Sequence, residues 1–116
     1  MAHQTYQDCI EACQACAVAC DHCADACLGE RDVKMMVECI RLDRDCAKIC
    51  YTAASFMTSA SQFARQVCQL CADVCEACGA ECEKHAAHMD HCRECAEACR
   101  RCAEACRNMG EMAEAM

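Results

Sequence analysis

The stretch Cys9-Ile-Glu-Ala-Cys13-Gln-Ala-Cys16-Ala-Val-Ala-Cys20-Asp-His-Cys23-Ala-Asp-Ala-Cys27 decides how the rest of the chain is read. Its cysteines step by four, three, four, three and four. That is a 3.5-residue period. On an α-helix it sets all six thiols along one stripe that drifts by only about 20° per heptad. At 1.5 Å per residue the stripe is roughly 27 Å long. An ordinary amphipathic helix carries Leu and Ile there; this one carries sulfur.

Composition extends the theme. The chain has 116 residues, with 19 Cys, no Pro, no Trp and three Gly. That length suits a single domain, expected over residues 1–116. Large aliphatic and aromatic residues are sparse, so a helical core must rest on Ala and Cys. Free Cys packs as a small apolar residue, and such a core is thin unless something fills it. The net charge of −8 leaves no basic footprint for nucleic acid or for an acidic membrane surface. No apolar run approaches the length of a membrane span, and no secretory leader is visible. The expected compartment is a reducing cytoplasm, where thiols persist. Disulfides fit poorly. Nineteen is odd, and Cys at i and i+3 or i+4 on one helix project along the same face.

The remaining elements follow the same step. The first helix is expected over 5–28, with Thr5 as N-cap, Asp8 in its first turn and Gly29 closing it. The second, over 32–58 with Asp32 as cap, carries Met36, Cys39, Asp43, Cys46, Cys50, Ala53 and Met57 on its stripe. Thr58–Ser61 reads as a turn. The third, over 61–85, carries Ala64, Cys68, Cys71, Cys75, Cys78, Cys82 and His85. The phase breaks between Lys84 and Met89. The fourth, over 89–109, carries Cys92, Cys95, Cys99, Cys102, Cys106 and Met109, and residues 110–116 are expected to fray. The expected fold is all-α: an antiparallel up-down-up-down four-helix bundle with inward-facing Cys stripes.

Nineteen thiols on matching stripes call for a soft metal. Zinc prefers four tetrahedral ligands with Cys-x-x-Cys on tight turns, whereas these pairs lie inside helices. Iron–sulfur clusters are disfavoured because the Cys run that ends in Pro is missing. Cu(I) is soft, is selected by thiolate, and accepts two or three ligands. Eight Cys-x-x-x-Cys pairs supply such sites, and Cys39, Cys68 and Cys92 stand outside them. Bridging thiolates approach one metal per sulfur and neutrality, which a low-dielectric core demands. Softness and bridging allow roughly 10–20 ions per chain. Asp43 falls on a stripe position. It is expected to lend a carboxylate oxygen to a copper site near Cys39 and Cys46, weakly because oxygen is hard. The alternative is a solvated Asp43 beside Arg41 and Arg44.

The run Cys9–Cys27, the segment Cys39-Ile-Arg-Leu-Asp43-Arg-Asp-Cys46-Ala-Lys-Ile-Cys50, the run Cys68–Cys82 and the tail from Lys84-His85 through His91-Cys92 to Cys106 resemble the cytosolic bacterial copper storage proteins. The likeness covers nearly the whole chain. It implies Cu(I) held inside each bundle by Cys pairs, storage of many ions, a non-Cys ligand near Asp43, tetrameric assembly and a cytosolic location.

The antiparallel path puts Cys27, Met36, His85, His88, Met89 and His91 at one end. Tyr6, Ile10, Phe56, Met57, Phe63 and Met109 gather at the other as an apolar plug. Copper is expected to pass at the His/Met end, with His85, His88, Met89 and His91 as ligands. His3 and His22 lie off the stripe and read as surface, and Met36, Met57 and Met109 as gap-fillers. High-capacity Cu(I) storage is the leading function. The alternatives are a zinc-binding or metallothionein-like detoxification protein and a copper chaperone. A chaperone needs one or two exposed Cys. No catalytic triad, phosphate loop or open-site metal triad is visible, and buried thiols make poor catalysts, so no enzyme is expected.

Overall fold

A computed structural model describes the chain from Ala2 to Ala115, with side chains from Tyr6 to Met109. Four helices follow in order: α1 (Ala2–Leu28), α2 (Val37–Thr58), α3 (Ala64–Glu83) and α4 (Asp90–Ala115). A single 3₁₀ turn, Val33–Met36, leads into α2. Each helix packs on its sequence neighbours, and α4 closes against α1. This is the expected antiparallel bundle. The side chains of His3 and of residues 110–116 lie outside the described residues.

The helix ends differ from expectation in instructive ways. α1 already begins at Ala2, so Thr5 lies inside it rather than at its cap. Gly29 does not adopt a positive φ. The helix instead tightens, with the Gly29 N–H donating to Ala26 C=O at 3.1 Å and Glu30 N–H to Cys27 C=O at 3.1 Å. Asp32 precedes the 3₁₀ turn and makes no side-chain cap bond. The α2–α3 turn closes differently. Ala60 sits at φ 52. Its N–H donates to Met57 C=O at 3.0 Å, and Ser61 N–H reaches back to Phe56 C=O at 3.0 Å. That is a Schellman closure with Ala where Gly is usual. The α3–α4 connection spans residues 84–89, as the phase break implied, and Asp90 complements the dipole in the first turn of α4.

The packing is inverted relative to an ordinary bundle. All nineteen Cys are buried, together with Ala, Met36, Met57, Met109 and one charged residue, Asp43. The branched and aromatic residues lie outside or at the margin: Val18 is 60% exposed, Leu70 53% and Phe63 53%. Phe63 therefore is no part of the plug. It occupies the position just before α3, where its ring faces solvent. Tyr6, Ile10 and Phe56 do pack against the core, and Met57 and Met109 are buried in it.

Beside each Cys stripe runs a second pattern. Small residues recur seven apart: Ala17 and Ala24, Ala47 and Ala54, Ala72 and Gly79, Ala96 and Ala103. Small contact residues let helix axes approach closely. Across the outer α3–α4 seam Arg107 reaches Asp73 at 2.7 Å and Glu76 at 3.1 Å, and Arg100 pairs with Glu83. These exposed pairs add little stability, but they match the two helices in register.

The scaffold owes its helices to Ala, Glu and Arg propensity and to this packing, not to metal. Reduced, metal-free protein should therefore give a helical circular dichroism spectrum; a coil spectrum that turns helical only with metal would refute a preformed bundle. Ala60→Gly relieves the left-handed alanine and should raise the unfolding free energy by up to about 1 kcal/mol, read as a higher urea midpoint at unchanged m. A lowered midpoint would contradict the strained turn.

Candidate metal centre

The stripes deliver the thiols to one another across the bundle axis. From the end nearest Met57 and Met109, Cys106 Sγ lies 3.7 Å from both Cys9 and Cys13, and Cys13 lies 3.6 Å from Cys102. Cys50 then contacts Cys102 at 3.9 Å, Cys71 at 3.7 Å and Cys75 at 3.7 Å. Cys46 meets Cys75 at 3.6 Å and Cys16 at 3.8 Å. Cys16 meets Cys99 at 3.8 Å, and Cys20 meets Cys95 at 3.6 Å. The column then reaches Asp43. Beyond it Cys39 meets Cys82 at 3.6 Å, and Cys23 meets Cys92 and Cys27 at 3.9 Å each.

The closest contacts join different helices. The i, i+4 pairs foreseen from the sequence are also near: Cys16/Cys20 at 4.0 Å, Cys23/Cys27, Cys46/Cys50 and Cys71/Cys75 at 3.9 Å. The resulting sets draw on three helices. In Cys13/Cys71/Cys102/Cys106, Cys16/Cys46/Cys50/Cys75, Cys20/Cys78/Cys95/Cys99 and Cys23/Cys27/Cys39/Cys92, all Sγ atoms fall within 4.8 Å of one another. A metal bonded to three thiolates at about 2.3 Å holds its sulfurs about 4.0 Å apart. The column is thus already spaced for shared soft ions. Cys68 is buried with the rest, and all nineteen cysteines are free.

Burial favours the protonated thiol throughout the column, while thiol–thiol hydrogen bonds pull Cys16, Cys71, Cys95 and Cys106 the other way. Burial pushes Cys92 up to about 12 and raises Cys27 as well. A metal entering here must displace protons, so binding releases them.

Asp43 points inward and is fully buried; the solvated alternative beside Arg41 and Arg44 does not occur. Its Oδ1 accepts from the thiols of Cys78 at 3.2 Å, Cys95 at 3.3 Å and Cys82 at 3.6 Å, and Oδ2 accepts from Cys39 at 3.8 Å. Its neighbour Cys46, expected beside it, instead joins the deeper column. Burial, then the nearby Cys95, pushes the carboxyl up to about 7 from its ordinary 3.8.

The His/Met end is uneven. His91 Nδ1 lies 3.5 Å from Cys23 Sγ, 3.5 Å from Cys92 Sγ and 3.9 Å from Cys27 Sγ. Its Nε2 faces Glu30 Oε1 at 3.5 Å, a carboxylate partner of the kind that orients a ligating imidazole. Met89 Sδ lies 4.0 Å from Cys92 Sγ. His85 turns to Glu81, Nε2 to Oε2 at 3.2 Å, and that carboxylate also takes Lys84 at 3.0 Å. His88 is exposed, as is His22. Of the four mouth residues foreseen, His91 and Met89 reach the thiols. Sequence reasoning missed Glu30, which is distant from His91 in the chain, and Glu81, whose i, i+4 spacing to His85 was legible.

A helical bundle whose interior is a continuous thiol column, capped by an oriented imidazole, belongs to the class of soft-metal thiolate proteins. The chain belongs to the copper storage protein family, whose profile matches residues 2–111. It is similar to a cytosolic copper storage protein from Streptomyces lividans solved with five coppers, at 45% identity over 95% of each chain and a TM-score of 0.92. It is also similar to the Cu(I)-bound copper storage protein BsCsp3, at 51% identity over 91% of this chain and 98% of that one, with a TM-score of 0.86. A third likeness is to the apo form of copper storage protein 3 from Bacillus subtilis, at 51% identity over 90% and 97%, with a TM-score of 0.81. Curated protein sequences gave no match. Among the described residues no helix is long and apolar enough to cross a membrane.

Asp43 makes a pH-dependent mark on the metal-free protein. The unfolded chain loses this proton near 3.8, the folded one near 7. Between those values the folded state holds more protons, so stability should fall as pH rises from about 4 to about 7, by on the order of a few kcal/mol. Above that window the loss is complete. Asp43→Asn should flatten the slope in urea titrations of reduced, metal-free protein. An unchanged slope in the variant would assign the pH dependence to other groups.

Proposed function

We propose that the chain is a high-capacity cytosolic store of Cu(I). The observation that carries this is the thiol column, spaced for shared soft ions along its length. Its ligands are the nineteen cysteines, with Asp43 lending an oxygen where Cys39, Cys78, Cys82 and Cys95 converge. Thiolate selects Cu(I), and bridging lets many ions enter while the core nears neutrality. Thiolate also suits zinc, so the choice of copper as cargo is supported by the family match and its Cu(I)-bound relative. The role is containment rather than turnover, because no buried thiol has the access that catalysis needs.

Copper passes at the His91 end. Neutral imidazole and thioether bring no negative charge to the cation, so they hold it more weakly than thiolate does. A weak site at the mouth lets an ion bind and then move inward. The contacts of His91 and Met89 with Cys92 support this route, and the exposed His88 and the Glu81-held His85 serve the approach. Tetrameric assembly, implied by the family likeness, is part of the same proposal.

Titrating the reduced protein with Cu(I), with elemental analysis, tests the store directly. Uptake of many ions per chain is expected; saturation at one or two would mark a chaperone. Replacing His85, His88 and His91 together should leave capacity nearly unchanged and slow stopped-flow uptake from a Cu(I)–chelator complex. His91→Ala alone should account for most of that slowing. Unchanged rates with lost capacity would make these residues extra storage sites.

A further inference from the structure

Gly79 lies in the interior of α3. Glycine there costs roughly 0.5–1 kcal/mol relative to alanine, and no backbone reason requires it, because no described glycine has a positive φ. The reason is space. A Cβ at this position would stand 3.3 Å from Cys99 Cβ and 3.8 Å from Ala96 C=O. The nearest neighbour is thus the root of a core cysteine on α4, not the end of a flexible side chain. Gly29 offers the contrast: a Cβ there would meet only Ala26 C=O, at an ordinary 3.5 Å.

Cys99 is where two thiol sets join. Its Sγ lies 3.8 Å from Cys16, 3.9 Å from Cys20 and 4.0 Å from Cys46. It belongs both to Cys16/Cys20/Cys46/Cys99 and to Cys20/Cys78/Cys95/Cys99. The second set needs α3 and α4 close together, because Cys78 comes from α3 and Cys95 and Cys99 from α4. Gly79 is adjacent to Cys78 in the chain and against Cys99 in space.

We propose that Gly79 is a positioning residue for copper: it sets the α3–α4 distance at which Cys78, Cys95, Cys99 and Cys20 share ions. The proposal rests on the Cu(I) reading above. A methyl group at 79 moves α4 outward by a few tenths of an ångström and carries Cys99 with it. The thiols can still reach solvent-free rotamers, so the empty bundle survives. The shared ions, whose bonds have fixed lengths, are held less well.

The test uses Gly79→Ala in the full chain, with Gly29→Ala as control. Each reduced protein is loaded with Cu(I), its ions are counted, and removal by excess bathocuproine disulfonate is timed. Melting temperatures are measured with and without copper. Gly79→Ala should release copper about fivefold faster, equivalent to ~1 kcal/mol, and its copper-induced rise in melting temperature should shrink. Gly29→Ala should match the parent in both. A Gly79→Ala protein whose empty and loaded forms shift equally, with unchanged release, would make Gly79 a packing residue only and overturn the proposal. Failure of the parent chain itself to load copper would instead overturn the storage reading.

Discussion

The cost of charge in a dry interior governs this protein. A column of ionised thiolates could not be buried in four helices. Protonated thiols can, and so the bundle folds around small, weakly polar groups. Copper reverses the chemistry without reversing the electrostatics, since each ion replaces protons with positive charge of its own. The same constraint explains Asp43. A carboxylate amid thiols is tolerable because burial holds its proton to about 7 and because Cys78 and Cys95 can donate to it.

The fold was largely legible from the spacing of one residue type. The four/three step places every Cys on an inward face, and the break before Cys92 marks the last turn. What spacing could not tell was which helices would meet. Reading pairs within a helix singled out Cys46/Cys50, yet Cys46 lies closer to Cys75 of α3, at 3.6 Å. Cross-helix distances depend on axial register and helix separation, neither of which a single stripe contains. The heptads of Ala and Gly beside the stripes do carry that information, and they were legible in principle.

The mouth was harder. His85, His88, Met89 and His91 are near one another in sequence, but a turn sends them in different directions. His91 lies on α4 and reaches the thiols; His88 sits in the connection and faces out. The plug was overread in a similar way. Phe63 looked like a core aromatic, but it comes before α3 starts, where a side chain is not committed to the helix's buried face. Asp43 shows the converse: its stripe position outweighed the arginines flanking it in sequence.

The inverted packing also has a calorimetric signature. Heat capacity of unfolding tracks the apolar area exposed, at about 0.45 cal/K/mol per Å². Alanine and cysteine bring less of that area indoors than leucine would, and Val18 and Leu70 are already half in water when folded. The metal-free bundle should therefore show a smaller heat-capacity increment on unfolding than a leucine-cored bundle of the same length. A smaller increment bends the stability curve less, so stability changes gradually with temperature and cold unfolding moves further off.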